Sequence, residues 1–466
     1  MQNDGADRGL AAATEEGRAG APVTVVWAYR RTGKFALHVL AGALAEGAKT
    51  RDVPVVFANG VDATVAAIED ALARGHRVLV GWSFYSPDFA QLCGELQAVR
   101  ERVGHARVVH VAGGVHASAD PEGTLRAGFD LAAIGEGEVL IQELVTAMLE
   151  GEALERVSGT ASLDGDRVRR SGRADRIELD AFPPFGPTHG RFGPIEITRG
   201  CIYACRFCQT PYFAGARFRH RSVDNVRQWV RYLVARGFRD YRFLTPTSMS
   251  YGAHSREPDL AAIEALLAGV REDIGPERKL WFGTFPSDVR PEHVTAEGFA
   301  LIRRYDTNRS LILGGQSGSD RVLEHSARGH DSETVERAVA LCIEGGFTPH
   351  VDFLFGMPGE RDDDVEATLQ QMDRLVQRGA KVHGHTFMPL PGTPFRRAAP
   401  GALTEDVRLR LKQLASSGSL YGQWEQQEHT AREIAARQAG GEASSSRKPN
   451  SPTPTITAMT ATARDR

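Results

Sequence analysis

Cys201, Cys205 and Cys208 fall within eight positions of a 466-residue chain that holds only five cysteines, inside the stretch TRGCIYACRFCQTPYF at 198–213. Three thiolates spaced C-x3-C-x2-C on one loop can converge on a single metal centre. A structural zinc site takes four closed ligands, so a fourth would come from elsewhere, His189 and His220 being the candidates. A cubane iron–sulfur cluster takes cysteine thiolates; held by three of them, it leaves one iron open to a ligand that is not protein. A zinc site and plain buried cysteines stay open as readings, whereas so few cysteines in so long a chain do not make a disulfide framework. Cys342, inside the helical pattern AVALCIEGG, reads as core, and Cys93 also lies on a helical pattern.

These cysteines must be held by something. Between residues 22 and 150, short apolar runs (VTVVWA, VPVVF, RVLVGW, RVVHVA, LAAI) alternate with helical patterns. That alternation predicts a doubly wound parallel α/β sheet, which binds ligands at the carboxyl ends of its strands. Ser83, Gly113, Gly114, His116, Gly135, Glu136 and Gly137 stand at those ends. Residues 151–190 read as a linker with a hairpin, SLDGDRVRRS, and a proline-rich connector. From 191 to 420 a second alternation gives six strand–helix units: a partial TIM-like (β/α)6 barrel, with the cysteines directly after its first strand. Residues 1–21 and the low-complexity stretch from about 433 read as disordered, the segment 421–466 being a helix end and a tail.

The totals narrow the class. Fifty-six basic against 59 acidic residues leave a net charge of −3, so no nucleic-acid or membrane partner is expected. Apolar runs of the roughly 18 residues a membrane span needs are absent, and the N-terminus lacks the apolar core of a secretory signal. The expectation is a cytoplasmic enzyme.

The cysteine loop, with Phe207 before its last cysteine, resembles the signature of the radical S-adenosylmethionine (SAM) superfamily. The resemblance runs over residues 190–395, through GGQSGSDRVLEHSARGH, VDFLFGMPGE and FMPLPGTPF. It implies a [4Fe–4S] cluster on Cys201, Cys205 and Cys208, and SAM chelating the open iron. It further implies SAM contacts at Phe207, Thr247, Ser287 and Gln316. Where the family often ends its second strand Gly-Gly-Glu, this chain reads FLTPTS, leaving Thr245 or Thr247 to supply the oxygen. The first domain resembles the cobalamin-binding domain often fused ahead of such a barrel, through VGWS, GGVH and DLAAIGEGE. The Asp-x-His-x-x-Gly motif for a lower axial histidine is absent.

Together these imply a cobalamin-dependent radical SAM methylase acting on an unactivated position of a small-molecule or peptide substrate, with ferredoxin or flavodoxin as reductant. Alternatives are another radical reaction (rearrangement, cyclisation or methylthiolation) without functional cobalamin, or a non-catalytic iron–sulfur or zinc sensor. The QSGSDRVL string points to methylthiotransferases, but that branch carries three further N-terminal cysteines and only Cys93 precedes the loop here. The sequence assigns no catalytic residue, and TPYFAGARFRHR at 209–220 is the segment expected to bear on substrate choice.

Overall fold

A computed structural model describes residues 20–104 and 107–444, without the side chains of 440–444. The leader 1–21, expected to be disordered, lies outside these residues except for its last two positions, as does the tail beyond 444.

The first sheet has seven strands in the order β2-β1-β3-β4-β5-β6-β7: β1 Val23–Tyr29, β2 Val55–Asn59, β3 Arg77–Ser83, β4 Val108–Gly113, β5 Leu131–Ala133, β6 Thr160–Asp164 and β7 Arg167–Arg170. The β-branched runs explain β1, β3 and β4, which are covered on both faces. Val26, Val78 and Val80 enter one core with Leu92 and Leu96, whereas Val25, Trp27 and Leu79 enter another with Leu37 and Leu144. The first five strands are parallel, and the order 2-1-3-4-5 reverses between β1 and β3, the switch point at which such sheets take ligands.

The hairpin expected inside a linker is instead part of this sheet. β6 pairs antiparallel with β5, and β7 with β6. Thr160, Ala161 and Ser162 are buried there, so the hairpin covers the edge that β5 would otherwise expose.

The second unit curls. β8 (Ile195–Glu196), β11 (Asp240–Leu244) and β12 (Lys279–Trp281) form one parallel group. β13 (Ser310–Gln316), β14 (Thr348–Phe355), β15 (Lys381–Thr386) and β16 (Leu420–Gly422) form another, and a bridge from Val289 to Leu313 joins them. β9 (Thr198–Arg199) and β10 (Arg219–His220) make a two-stranded flap around the cysteine loop. The six expected strands are present; β16 is a seventh, three residues long and too short to carry a periodic signal. Alternation splits the barrel wall: Val351, Phe353 and Phe355 of β14 pack outward on the helices Ser332–Glu344 and Asp362–Gln377. Asp352 and Leu354 therefore face the lumen.

The stretch from about 433, read as unfolded, continues the helix Trp424–Ser444. Ala431 and Ile434 are buried in it, and that packing overrides the low-complexity composition which suggested disorder. Among the described residues no helix is long and apolar enough to cross a membrane.

Candidate functional site

Tight backbone geometry builds the cysteine loop. Gly200 adopts φ 87°, and a Cβ there would lie 2.1 Å from the Arg217 carbonyl oxygen, so only glycine fits. Ala204 is also left-handed, at φ 53°, and the Cys208 N–H donates to the Cys205 carbonyl at 3.1 Å. The three cysteines pack together with Ile202, Tyr203, Phe207 and Phe218. None of the three is in a disulfide.

Two guanidiniums converge on the middle thiol. Arg328 Nη1 lies 3.7 Å and Arg290 Nη1 3.9 Å from Cys205 Sγ. Arg328 Nη2 also donates to the Gly314 carbonyl at 2.7 Å, and Arg290 lies 3.6 Å over the Tyr203 ring. Burial raises the Cys205 thiol, but Arg328 and Arg290 outweigh it and hold the group below its ordinary value. Cys201 is pushed up to about 11 by burial, and burial raises Cys208 as well. A coordinated cation deprotonates such thiols outright. Three enclosed thiols with a cationic flank therefore suit a polynuclear metal cluster and give no reason for a disulfide.

The expected SAM contacts surround this loop unevenly. Phe207 joins the cysteine cluster to a second apolar group, Val322, Met357, Phe387 and Phe395. Thr247 is 2% exposed and its Oγ1 has no hydrogen-bond partner among the described residues; an enclosed hydroxyl left unpaired is costly and fits a polar ligand group. Gln316 sits at a strand irregularity with φ 75°, a strained conformation typical of a functional strand end. Ser287 is differently used: its hydroxyl donates to the Phe243 carbonyl at 2.8 Å, tying a loop to β11. Thr245 Oγ1 likewise donates to the Thr247 carbonyl at 3.1 Å. Ser319 of the SGSD string caps the helix Asp320–His325. Thr247→Val should leave thermal stability within about 1 kcal/mol, because no protein partner is lost, while weakening SAM binding several-fold by calorimetry.

The first domain presents its strand ends to this loop. The helix Val115–Ala119 packs on the short helix Thr210–Phe213. Gln209 Nε2 lies 3.4 Å from Ser86 Oγ and donates to the Pro391 carbonyl at 2.8 Å. Among the residues expected at a corrinoid, Gly113 and Gly114 end β4, with Gly114 at φ 91° packing on the Phe84 backbone and on Ser83. His116 is 4% exposed, its ring tilted against Phe89 with centroids 4.1 Å apart, with Nδ1 3.0 Å from Ser86 Oγ; burial drives its pKa down to about 4. It is a buried, neutral imidazole. The Gly135 N–H donates to Ser118 Oγ at 3.0 Å, and Gly137 lets Leu40 approach.

Glu136 differs most from its expected use, because its carboxylate is committed to protein. Glu136 Oε2 accepts from Arg199 at 3.1 Å, from Arg219 at 3.0 Å and from the Ile177 N–H at 3.1 Å. Its second oxygen accepts from Arg219. Arg199 also reaches Glu138 and Glu196, each at 2.7 Å. This buried network fastens the first domain to β9 and β10. The sequence reading gave no role to Arg290, Arg328 or Arg199, although Arg199 and Arg328 stand inside TRGCIYACRFCQTPYF and GGQSGSDRVLEHSARGH; Arg219 stands in the 209–220 segment expected to bear on substrate choice, and ties the domains instead.

Comparison with known proteins agrees with this geometry. Residues 195–372 match the radical SAM superfamily. Those residues form a radical SAM domain. The chain is 31% identical over 241 residues to a tRNA-2-methylthio-N(6)-dimethylallyladenosine synthase of Pelobacter propionicus, covering 51% of this chain and 52% of that protein. The chain thus spans about half the length of the curated relatives it first matches. An uncharacterized protein of Methanopyrus kandleri is 23% identical over 402 residues, 76% of this chain and 75% of its own. Among solved structures, the radical SAM methyltransferase TsrM from Kitasatospora setae, with cobalamin and a [4Fe–4S] cluster bound, superposes with TM-score 0.63 at 20% identity over 82% of this chain and 78% of its own. The cobalamin-dependent radical SAM enzyme OxsB gives 0.60 at 16%, over 85% and 56%. These two likenesses extend across both domains and are likenesses of fold. The radical SAM domain implies a [4Fe–4S] cluster and SAM, and Cys201, Cys205 and Cys208 are the residues that fit the cluster.

Proposed function

We propose that this radical SAM enzyme is cobalamin-dependent and methylates an unactivated position of its substrate. The observation that carries the reading is the docking of the first domain: the carboxyl ends of a 2-1-3-4-5 sheet abut the cysteine loop through Gln209 and Ser86. A ligand at that switch point would share a wall with the barrel chamber. The chemistry supplied by cluster and SAM is one-electron cleavage to a 5′-deoxyadenosyl radical, and that supplied by the corrinoid is methyl delivery. The chain's own residues bind and enclose. Cys201, Cys205 and Cys208 hold iron; Arg290 and Arg328 offset thiolate charge; Phe207, Thr247 and Gln316 meet the nucleotide; Ser83, Gly113, Gly114, Gly135 and Gly137 leave backbone free for the corrin edge. Glu136 and His116 act behind that surface, as a domain tie and a packed spacer. A reducing compartment, the cytoplasm, and a ferredoxin or flavodoxin donor complete the proposal.

Methylthiolation is the second reading, favoured by the Pelobacter propionicus relative. Against it, Cys93 alone precedes the loop, on the helix Phe89–Val103. Protein produced with hydroxocobalamin and reconstituted anaerobically should carry a bound corrinoid spectrum and form 5′-deoxyadenosine with dithionite. A cluster-bearing protein that takes up no corrinoid removes the cobalamin proposal and leaves methylthiolation ahead.

A further inference from the structure

Below the strand ends, the lumen holds a polar array apart from the residues assigned above to the cluster and SAM. Asp352 of β14 is directly across the parallel ladder from His383 of β15, and His385 lies two residues on, on the same face. His383 Nδ1 is 2.9 Å from Asp352 Oδ1, and His385 Nε2 is 3.1 Å from His383 Nδ1 and 3.7 Å from Asp352 Oδ1.

Proton accounting fixes the tautomers. The Thr386 N–H, which can only donate, is 2.9 Å from Gln427 Oε1. The amide nitrogen of Gln427 must therefore face His385 Nδ1, 3.1 Å away, and donate to it. Neutral His385 then carries its proton on Nε2 and turns it to the Asp352 carboxylate, 3.7 Å away, because the His383 Nδ1 beside it carries a proton of its own toward the same oxygen. A histidine that ligates metal through one nitrogen donates from the other; His385 accepts there instead. The arrangement is wrong for a metal ligand and right for an oriented imidazole. With Asp352 ionised, His383 keeps its proton on Nδ1, leaving its Nε2 with a lone pair and no hydrogen-bond partner among the described residues. The His383 side chain is 28% exposed, and its ring is stacked on Tyr421 at 4.4 Å and 11°. Tyr421 in turn bonds His350 Nδ1 at 3.0 Å.

The array is coupled to the reaction centre. Asp288 feels both Arg328, which touches Cys205, and the pair Asp352 and His383. Loss of solvation inside the barrel and the Asp352 charge push the Asp288 carboxyl up to about 7.

We infer that His383, oriented by Asp352, is a proton acceptor in the barrel chamber, and that the substrate presents an N–H or O–H group to its Nε2. In that step the substrate N–H or O–H bond breaks and its electron pair stays on the substrate heteroatom. The proton joins Nε2, and Asp352 balances the imidazolium so formed. The groups facing His383 are Asp288, Asp352, His385, Tyr421 and, one step further, His350 and Arg328. The inference deepens the proposed function by naming a substrate class, and its test needs neither SAM cleavage nor corrinoid.

The test is diethyl pyrocarbonate labelling of the reconstituted full chain, mapped by peptide mass spectrometry, since the reagent acylates an unprotonated imidazole nitrogen. His383 should react ahead of His385 and His350. Asp352→Asn should slow labelling of His383 by about tenfold, the carboxamide favouring the other tautomer, and Asp352→Glu should restore it. Added Zn2+ should give no protection. Equal labelling of His383 and His385, an unchanged rate in Asp352→Asn, or protection of both histidines by Zn2+ would overturn the inference, the last by showing a metal site. Labelling as expected in a protein that forms no 5′-deoxyadenosine would sink the functional proposal alone.

Discussion

Cys205→Ala protein is expected to lose the cluster's visible absorbance and to form 5′-deoxyadenosine only at background. Cys205 is 5% exposed and lies under both Arg290 and Arg328, so its removal deletes a ligand and takes one acceptor from each of two buried guanidiniums, which keep Glu292 and the Gly314 carbonyl respectively. The second effect costs stability as well, on the order of 1–3 kcal/mol for a buried charged donor left without its partner. Cys205→Ser keeps the volume and a weak acceptor, so it should recover much of that stability without recovering the cluster. Iron content, absorbance and product formation on the three proteins check this. A Cys205→Ala protein with full iron and undiminished product would show that the loop is not the cluster site.

The second large effect concerns Glu136. Glu136→Gln removes one of the three carboxylates facing Arg199 and Arg219, the one that pairs with enclosed Arg219, and breaking a buried ion pair from one side costs about 3–5 kcal/mol. Urea unfolding should show the two domains separating at lower denaturant than in the parent. The pH dependence has a definite sign. Burial alone would raise the Glu136 carboxyl, but Arg219 and Arg199 outweigh it and its folded pKa is depressed. Its stabilisation is therefore complete above the unfolded value of about 4.3 and is lost as pH falls through the lower folded value. Parent and variant midpoints should converge below that pH and diverge above it. A constant gap across the range would remove the charge network as the cause.

The doubly wound sheet was legible because β1, β3 and β4 are near-continuous apolar runs, which only strands covered on both faces need. The cysteines were legible because no other use of that spacing is common. Residues 160–170 misled because a two-stranded hairpin reads alike whether it spans a linker or edges a sheet; only the burial of Ala161 decides. Glu136 misled in a related way, standing at a strand end where ligands bind, while arginines 63 and 83 residues away claim its carboxylate. Such pairings leave no local pattern. His383 and His385 are an intermediate case. Their i, i+2 spacing in KVHGHT puts both on one strand face, yet their chemistry depends on Asp352 and Gln427 from other elements.

The helix Trp424–Ser444 touches both halves of the molecule. Near its start Gln427 holds His385; further along, Arg437 lies 5.7 Å over the Phe89 ring, and Phe89 is the residue packed against His116. At 1.5 Å per residue the two contacts stand about 15 Å apart on one stiff rod. The rod thus ties the first sheet to the amide that orients an imidazole in the barrel, a second mechanical join between the two units besides the Glu136 network.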